Sequence, residues 1–218
     1  MRQALIVQGG WDGHQPTLVA EIFERVLREL DFSVTVSNTL DSFNDSHLMR
    51  GLSLIVPIWT MGKITPDQCK GAVEAVRDHG VGMAGCHGGM CDSFRENVDW
   101  QFMTGGQWVA HPGNDGTSYR VKVLRTGHPV TEGVSDFDVC SEQYYMHTDP
   151  SNRVLAVTEF PVAAGPHTPN GRFDMPVVWT RFFGRGRVFY NSLGHQSNVV
   201  ESEPCLTLMR RGFLWAAK

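Results

Sequence analysis

Ala4-Leu5-Ile6-Val7-Gln8-Gly9-Gly10-Trp11-Asp12-Gly13-His14 is the stretch that decides the fold. An unbroken apolar run with β-branched members is how a strand buried on both faces of a parallel sheet reads, and this one stops at paired glycines. Pro16 then suits the first turn of a helix, and Leu18, Val19, Ile22, Phe23, Val26, Leu27 and Leu30 recur at three- and four-residue steps on one face. Further along, 33–36 and 52–59 read as strands. Thr65-Pro66 caps a helix that Gly80 ends, and 81–84 is a fourth strand. Strands alternating with helices of this length predict βαβ units and right-handed crossovers. The expected fold is therefore α/β, a three-layer sandwich around a mainly parallel, flavodoxin-like sheet with the first strand at its centre.

The remainder fits one domain over 1–218. Residues 102–150, rich in Gly, His and Asp, read as a flap or insertion with one short strand at 119–124. Strand character resumes at 154–158, 161–175 reads as loop, and 177–181 and 187–191 form a hairpin around Phe183-Gly184-Arg185-Gly186, with a closing helix over 206–217.

Composition narrows the function. The 19 basic and 23 acidic side chains are scattered and give a net charge of −4, which offers no footprint for nucleic acid. No apolar run reaches the roughly 20 residues of a membrane helix, and the N-terminus does not read as a secretory leader. Five cysteines without a CxxC pair fit a reducing, cytoplasmic setting better than a disulfide scaffold.

Open α/β sheets gather functional groups beyond the carboxyl ends of their strands. Three histidines follow expected strands directly: His14 after the first, His87 in Gly85-Cys86-His87-Gly88-Gly89 after the fourth, and His195 in Ser192-Leu193-Gly194-His195 after the last. The spacing around His87 permits a tight elbow that lifts one side chain above the sheet, and an imidazole lifted there serves as base or metal ligand. Cys86 flanks the apex and is expected in the core, while Asp92 and Ser93 are expected to cap a following helix. Glu142, in Ser141-Glu142-Gln143-Tyr144-Tyr145-Met146-His147, supplies a carboxylate beside two phenols and an imidazole. His87 and Glu142 are the expected acid/base pair. His14, His147 and His195 are expected to contact substrate, with Trp11, Trp59 and Tyr144 as apolar faces for sugar rings; Trp179 is expected in the core. His111 and His128 read as loop residues. If a metal is present, zinc held by His14, His87 and His195 is the candidate, and metal-free use of the same imidazoles as hydrogen-bond donors and bases stands beside it.

At these residues the chain resembles the ThuA-like (trehalose utilisation) family within the class I glutamine amidotransferase-like fold. The resemblance rests on 9–14, 84–89, His128-Pro129-Val130-Thr131-Glu132-Gly133, Glu142-Gln143-Tyr144-Tyr145, 176–181, 184–190 and 192–195. Amidotransferases carry cysteine at the elbow apex, and His87 stands there instead, so glutamine hydrolysis through a thioester is not expected. The resemblance implies an enzyme of carbohydrate metabolism acting on a disaccharide or keto-sugar, by proton transfer next to a carbonyl or by hydrolysis. A non-catalytic sugar-binding or regulatory module on the same scaffold is the alternative. The expected partner is a small sugar, with a homodimer possible.

Overall fold

The computed structural model describes residues 2–218; Met1, part of the N-terminal reading, lies outside them. Strand β1 (Arg2–Gly10) leads through a short 3-10 turn at Asp12–His14 to helix α1 (Pro16–Glu29), then β2 (Phe32–Ser37), α2 (Ser46–Gly51), β3 (Leu54–Thr60) and α3 (Pro66–Arg77). Pro16 occupies the first turn of α1, where its missing N–H costs nothing. At the start of α3, Thr65 accepts from Gln68 N while the Gln68 side chain accepts from Thr65 N, a complete capping box. Strand β4 (Gly82–Cys86) runs into the four-residue helix α4 (Gly88–Cys91), followed by α5 (Val98–Thr104). Asp92 and Ser93 begin no helix: Asp92 is paired with Arg95 at 2.6 Å, and Ser93 Oγ donates back to Gly89 O and Met90 O.

Residues 102–150 divide between two places. β6 (Thr117–Val123) and β7 (Phe137–Ser141) extend the main sheet, whereas β5 (Gly106–Ala110) and β8 (Tyr145–Thr148) pair as a separate two-stranded sheet. β9 (Arg153–Phe160), β10 (Phe173–Phe183) and β11 (Gly186–Asn191) follow, and α6 (Ser197–Glu201) and α7 (Glu203–Ala216) close the described chain.

The nine-stranded sheet has the order β2-β1-β3-β4-β11-β10-β9-β6-β7. From β2 to β11 every pairing is parallel, and from β11 to β7 every pairing is antiparallel. The expected central first strand is corrected here: β1 lies second from an edge, because β11 returns from the far end of the sequence to pair with β4 and places the antiparallel strands beyond it. The carboxyl ends of β1, β3, β4 and β11 therefore share one edge.

Alternation along β1 sends Ala4 and Ile6 to one face and Leu5 and Val7 to the other, all at most 1 % exposed. The first face packs against α1 and α7, where Phe23 and Phe213 meet edge to face at 5.1 Å. The second packs α3 and α5 around Trp100 and Trp179, and Trp179 donates Nε1–H to Thr104 O at 3.0 Å. Cys86 is buried. Among the described residues no helix is long and apolar enough to cross a membrane.

The β10–β11 turn presses on α3. Gly184 has φ 58°, and a Cβ on Gly186 would meet Val76 O at 2.5 Å. Valine at both positions is expected to lower Tm, since a left-handed residue with a side chain costs on the order of 1 kcal/mol before any clash. The folded fraction should keep the wild-type secondary structure, and an unchanged Tm in the double variant would show that the turn is not strained.

Candidate active site

His87 sits at φ 48°, ψ −141°, a backbone region that residues with a Cβ reach only under strain. The surrounding structure imposes it. His87 N donates to Asn191 O at 2.7 Å, the Tyr190 hydroxyl donates to His87 O at 3.0 Å, and Gly88 lets the chain pass directly beneath His14. Alanine at 87 is therefore expected to be less stable than glycine at 87 by about 1 kcal/mol or more, reversing the usual order of the two. Thermal melts of the two metal-free variants measure this, and the ordinary order would show that the elbow is not strained.

Four side chains from four segments meet above the elbow. One ligand atom from each of His14, His87, Glu142 and His195 lies within 4.8 Å of the others, and all four residues are buried. They crowd a single oxygen: Glu142 Oε2 is 3.1 Å from His87 Nε2, 3.2 Å from His195 Nδ1 and 4.0 Å from His14 Nε2. Glu142 Oε1 faces His111 Nε2 at 3.7 Å. Gln15 ties two of the segments together, its Oε1 accepting from Ser197 N and Oγ at 3.0 and 2.8 Å. Tyr119 holds the Glu142 segment by donating to Glu142 O at 3.0 Å.

The protons on His87 follow from its partners. Its Nδ1 lies 2.8 Å from Ser192 O, and a carbonyl only accepts, so Nδ1 carries the hydrogen. In the neutral ring Nε2 then presents a lone pair to a carboxylate oxygen. Burial pushes His87 below the ordinary imidazole range, with the Glu142 contact opposing it. His14 falls to about 3, through burial and then repulsion from His87 and His195. Burial alone would raise Glu142, but the neighbouring His195 and His87 outweigh it and hold the carboxyl well below its usual range. His195 is the exception: burial would lower it, yet Glu142 carries it above the ordinary value. Its Nδ1 is buried and makes no hydrogen bond despite the short approach to Glu142.

These shifts set a pH dependence. Between the unfolded imidazole value near 6.5 and the folded His14 value near 3, the unfolded chain binds the proton that the folded chain refuses. Stability is thus full above pH 6.5 and declines as pH falls, by up to about 1.4 kcal/mol per pH unit for each such histidine. His195, shifted upward, is protonated in both states through that window and does not offset the loss. The metal-free protein is expected to lose Tm between pH 6.5 and 5, and His14→Asn to flatten that slope; equal slopes would remove the assignment.

The remaining expected site residues distribute unevenly. Trp11, 46 % exposed, stands edge-on to His14 at 4.8 Å, at the mouth of the cluster. Tyr144 is no sugar platform: its ring is stacked on His87 at 3.8 Å and is buried. Trp59 packs over Gly9, where a Cβ would meet its ring at 2.6 Å, and so serves the β1–β3 junction. His147 is exposed on β8, paired with Gln107, and lies outside the four-residue cluster. His111, read from the sequence as a loop residue, is at the mouth. Only its position in a polar, glycine-containing loop signalled that, because its approach to Glu142 depends on the pairing of β5 with β8. His128 accepts Val130 N at 3.2 Å within the 128–133 turn and packs beside Trp215.

A family profile described as "ThuA: Trehalose utilisation" matches residues 3–216. The structure is similar to a ThuA-like protein from Bacteroides uniformis, with a TM-score of 0.77 and 18% identity over 99% of this chain and 91% of that one. It is also similar to a Salmonella typhimurium protein described as cytoplasmic, with a TM-score of 0.71 and 12% identity over 99% and 100% of the two chains. A glutamine amidotransferase from Thermotoga maritima aligns with a TM-score of 0.53 and 11% identity over 88% and 74%. At such identities the solved structures show the fold, which is that of the class I glutamine amidotransferases. No curated relative matches the sequence.

Proposed function

Since this chain belongs to the ThuA family, whose description is trehalose utilisation, we propose that its carbohydrate-related role is that of a metal-dependent enzyme acting beside a carbonyl of a disaccharide or keto-sugar. One observation carries the reading: three imidazole nitrogens surround one carboxylate oxygen at 3.1, 3.2 and 4.0 Å. Donors around zinc at roughly 2.0–2.1 Å stand about 3.4 Å apart in a tetrahedron. A neutral His87 otherwise sets lone pair against lone pair, and a neutral His195 Nδ1, buried without a hydrogen bond of good geometry, gains a partner from a cation. The donor set of three nitrogens and one oxygen suits zinc. His14, His87, His195 and Glu142 Oε2 would hold it, and when bound it supplies Lewis acidity that polarises a carbonyl oxygen.

The protein's own groups do the rest. Trp11 offers an exposed apolar face for a sugar ring at the mouth. Glu142 Oε1 and His111 Nε2, 3.7 Å apart, form the pair that takes a proton from the hydroxyl-bearing carbon beside the carbonyl and returns it to the former carbonyl carbon while the hydroxyl proton passes to the carbonyl oxygen, so that the carbonyl moves by one carbon. In a hydrolysis the same pair takes a proton from the attacking water and delivers it to the oxygen of the departing sugar as its bond breaks. Tyr144 seals the back of His87 and excludes water from that side. Five free cysteines, four of them buried, support cytoplasmic action, where thiols stay reduced.

Protein purified without an affinity tag should hold close to one equivalent of zinc and convert a keto-disaccharide. Chelator should stop the reaction and zinc restore it. Full activity in chelator, with less than about a tenth of an equivalent of metal bound, would overturn the metal assignment, because structural and catalytic zinc sites bind far more tightly than that. His87→Ala decides between enzyme and binding module: turnover should vanish while sugar affinity persists, and unchanged turnover would remove the enzyme reading.

A further inference from the structure

Two of the three histidines have their remote ring nitrogen anchored. His87 Nδ1 donates to Ser192 O at 2.8 Å and His14 Nδ1 meets Thr60 Oγ1 at 2.9 Å. The third, His195, turns Nδ1 toward the cluster and Nε2 toward Asp115 Oδ2, 3.9 Å away. Asp115 is prepared for this. Its Oδ1 accepts Gly116 N at 2.9 Å, which leaves Oδ2 free to face the imidazole. The loop that carries it bends through three left-handed residues, Gly113 at φ 90°, Asn114 at 57° and Gly116 at 83°. It is braced by Asn114 N donating to His111 O at 2.9 Å and Thr117 Oγ1 donating to Asn114 O at 3.0 Å.

The geometry points to Asp115 as the positioning residue of His195, and to its loop as the element that closes on the cluster when a cation is bound. The inference rests on the metal reading above. For Nδ1 to offer its lone pair to a cation, the ring hydrogen must sit on Nε2, and a carboxylate facing Nε2–H selects that tautomer and raises the basicity of the ligand. At 3.9 Å the contact is an ion-pair distance and not a hydrogen bond. Closing it takes a shift of about 1 Å, in a loop whose tip is more than half exposed: Asp115 presents 56% of its side chain to solvent. Because the same loop carries His111 at its start, closure also brings the proton-handling pair over the bound sugar.

The test uses the full chain and zinc alone. Dissociation constants are read by competition with a chromophoric chelator for the wild type, D115A, D115N and D138A. D115A should bind zinc about 10–100-fold more weakly, the usual cost of losing an outer-shell partner. D115N, whose amide oxygen still accepts from Nε2–H, should fall between the two. D138A removes a carboxylate that is 76% exposed on the neighbouring β7 and should bind as the wild type does. Zinc should slow amide exchange across 111–117 in the wild type and not in D115A. Wild-type affinity in D115A, or equal losses in D115A and D138A, would overturn the role of Asp115 while leaving the metal reading intact. Failure of the wild type itself to bind zinc would overturn both.

Discussion

Glu142→Gln is expected to lose zinc by about a hundredfold or more and to lose turnover at least as far, while still folding. A four-ligand site with roughly 10–16 kcal/mol of apparent binding free energy assigns about 3 kcal/mol to each ligand, which is more than two decades in dissociation constant. Only the carboxylate brings negative charge to the cluster, so its loss should exceed that average. The metal-free protein responds differently. A glutamine amide can donate N–H to the lone pair of His87 Nε2, which limits the loss, but the carboxylate that His195 and His87 hold below its usual range is gone, so Tm near neutral pH should fall modestly. Zinc titration and melting curves on the same preparation check both halves. Undiminished zinc binding in the glutamine variant would sink the proposed site outright, since no other carboxylate joins that cluster among the described residues.

Gly88→Ala is the second large effect, and it changes no charge. A Cβ at 88 would lie 2.6 Å from His14 Cε1 and 2.9 Å from Thr60 Cγ2. The imidazole must tilt away, and Thr60 with it, which breaks the 2.9 Å contact that orients His14. Overpacking of this kind costs about 1–3 kcal/mol. Here part of that cost appears as a displaced ligand, so zinc affinity should fall by at least about tenfold, with a Tm loss of several degrees in the metal-free protein. Gly88→Ser should do no better, because the clash begins at Cβ. Wild-type zinc affinity in the alanine variant would show that His14 does not contribute a ligand.

Much of this arrangement could be read from residues whose pattern is local. The apolar run at 4–7, the 3.6-residue stripe from Leu18 to Leu30, and Thr65-Pro66 each fix an element without reference to the rest of the chain, and β1, α1 and α3 follow. The convergence of His14, His87 and His195 needed only that each follow a parallel strand, which holds for β1, β4 and β11. What escaped depends on pairing between distant segments. The position of β1 near an edge was invisible because it is settled by β11 joining β4, a contact across about a hundred residues. His111 reaches Glu142 only through the β5–β8 pairing, and neither strand has enough alternation to announce itself. Tyr144 and Trp59 carry the composition of sugar platforms, yet the packing of His87 and Gly9 claims their faces first. Residue type alone cannot reveal which side of a ring is already taken.

The pairing of β4 with β11 also imposes an order of events during synthesis. His87 lies at the end of a strand whose neighbour on one side is β11, one of the last strands to leave the ribosome, and His195 follows that strand. A growing chain, emerging at about 5–20 residues per second, therefore exposes β4 with one edge unpaired and with an incomplete set of ligands for several seconds. During that interval the nascent chain has an open seam that invites strand addition from other chains, and it holds no site able to retain a cation. On the proposed metal reading, capture of a cation waits until the sheet is whole, and a chain stalled before β11 is expected to stay unmetallated.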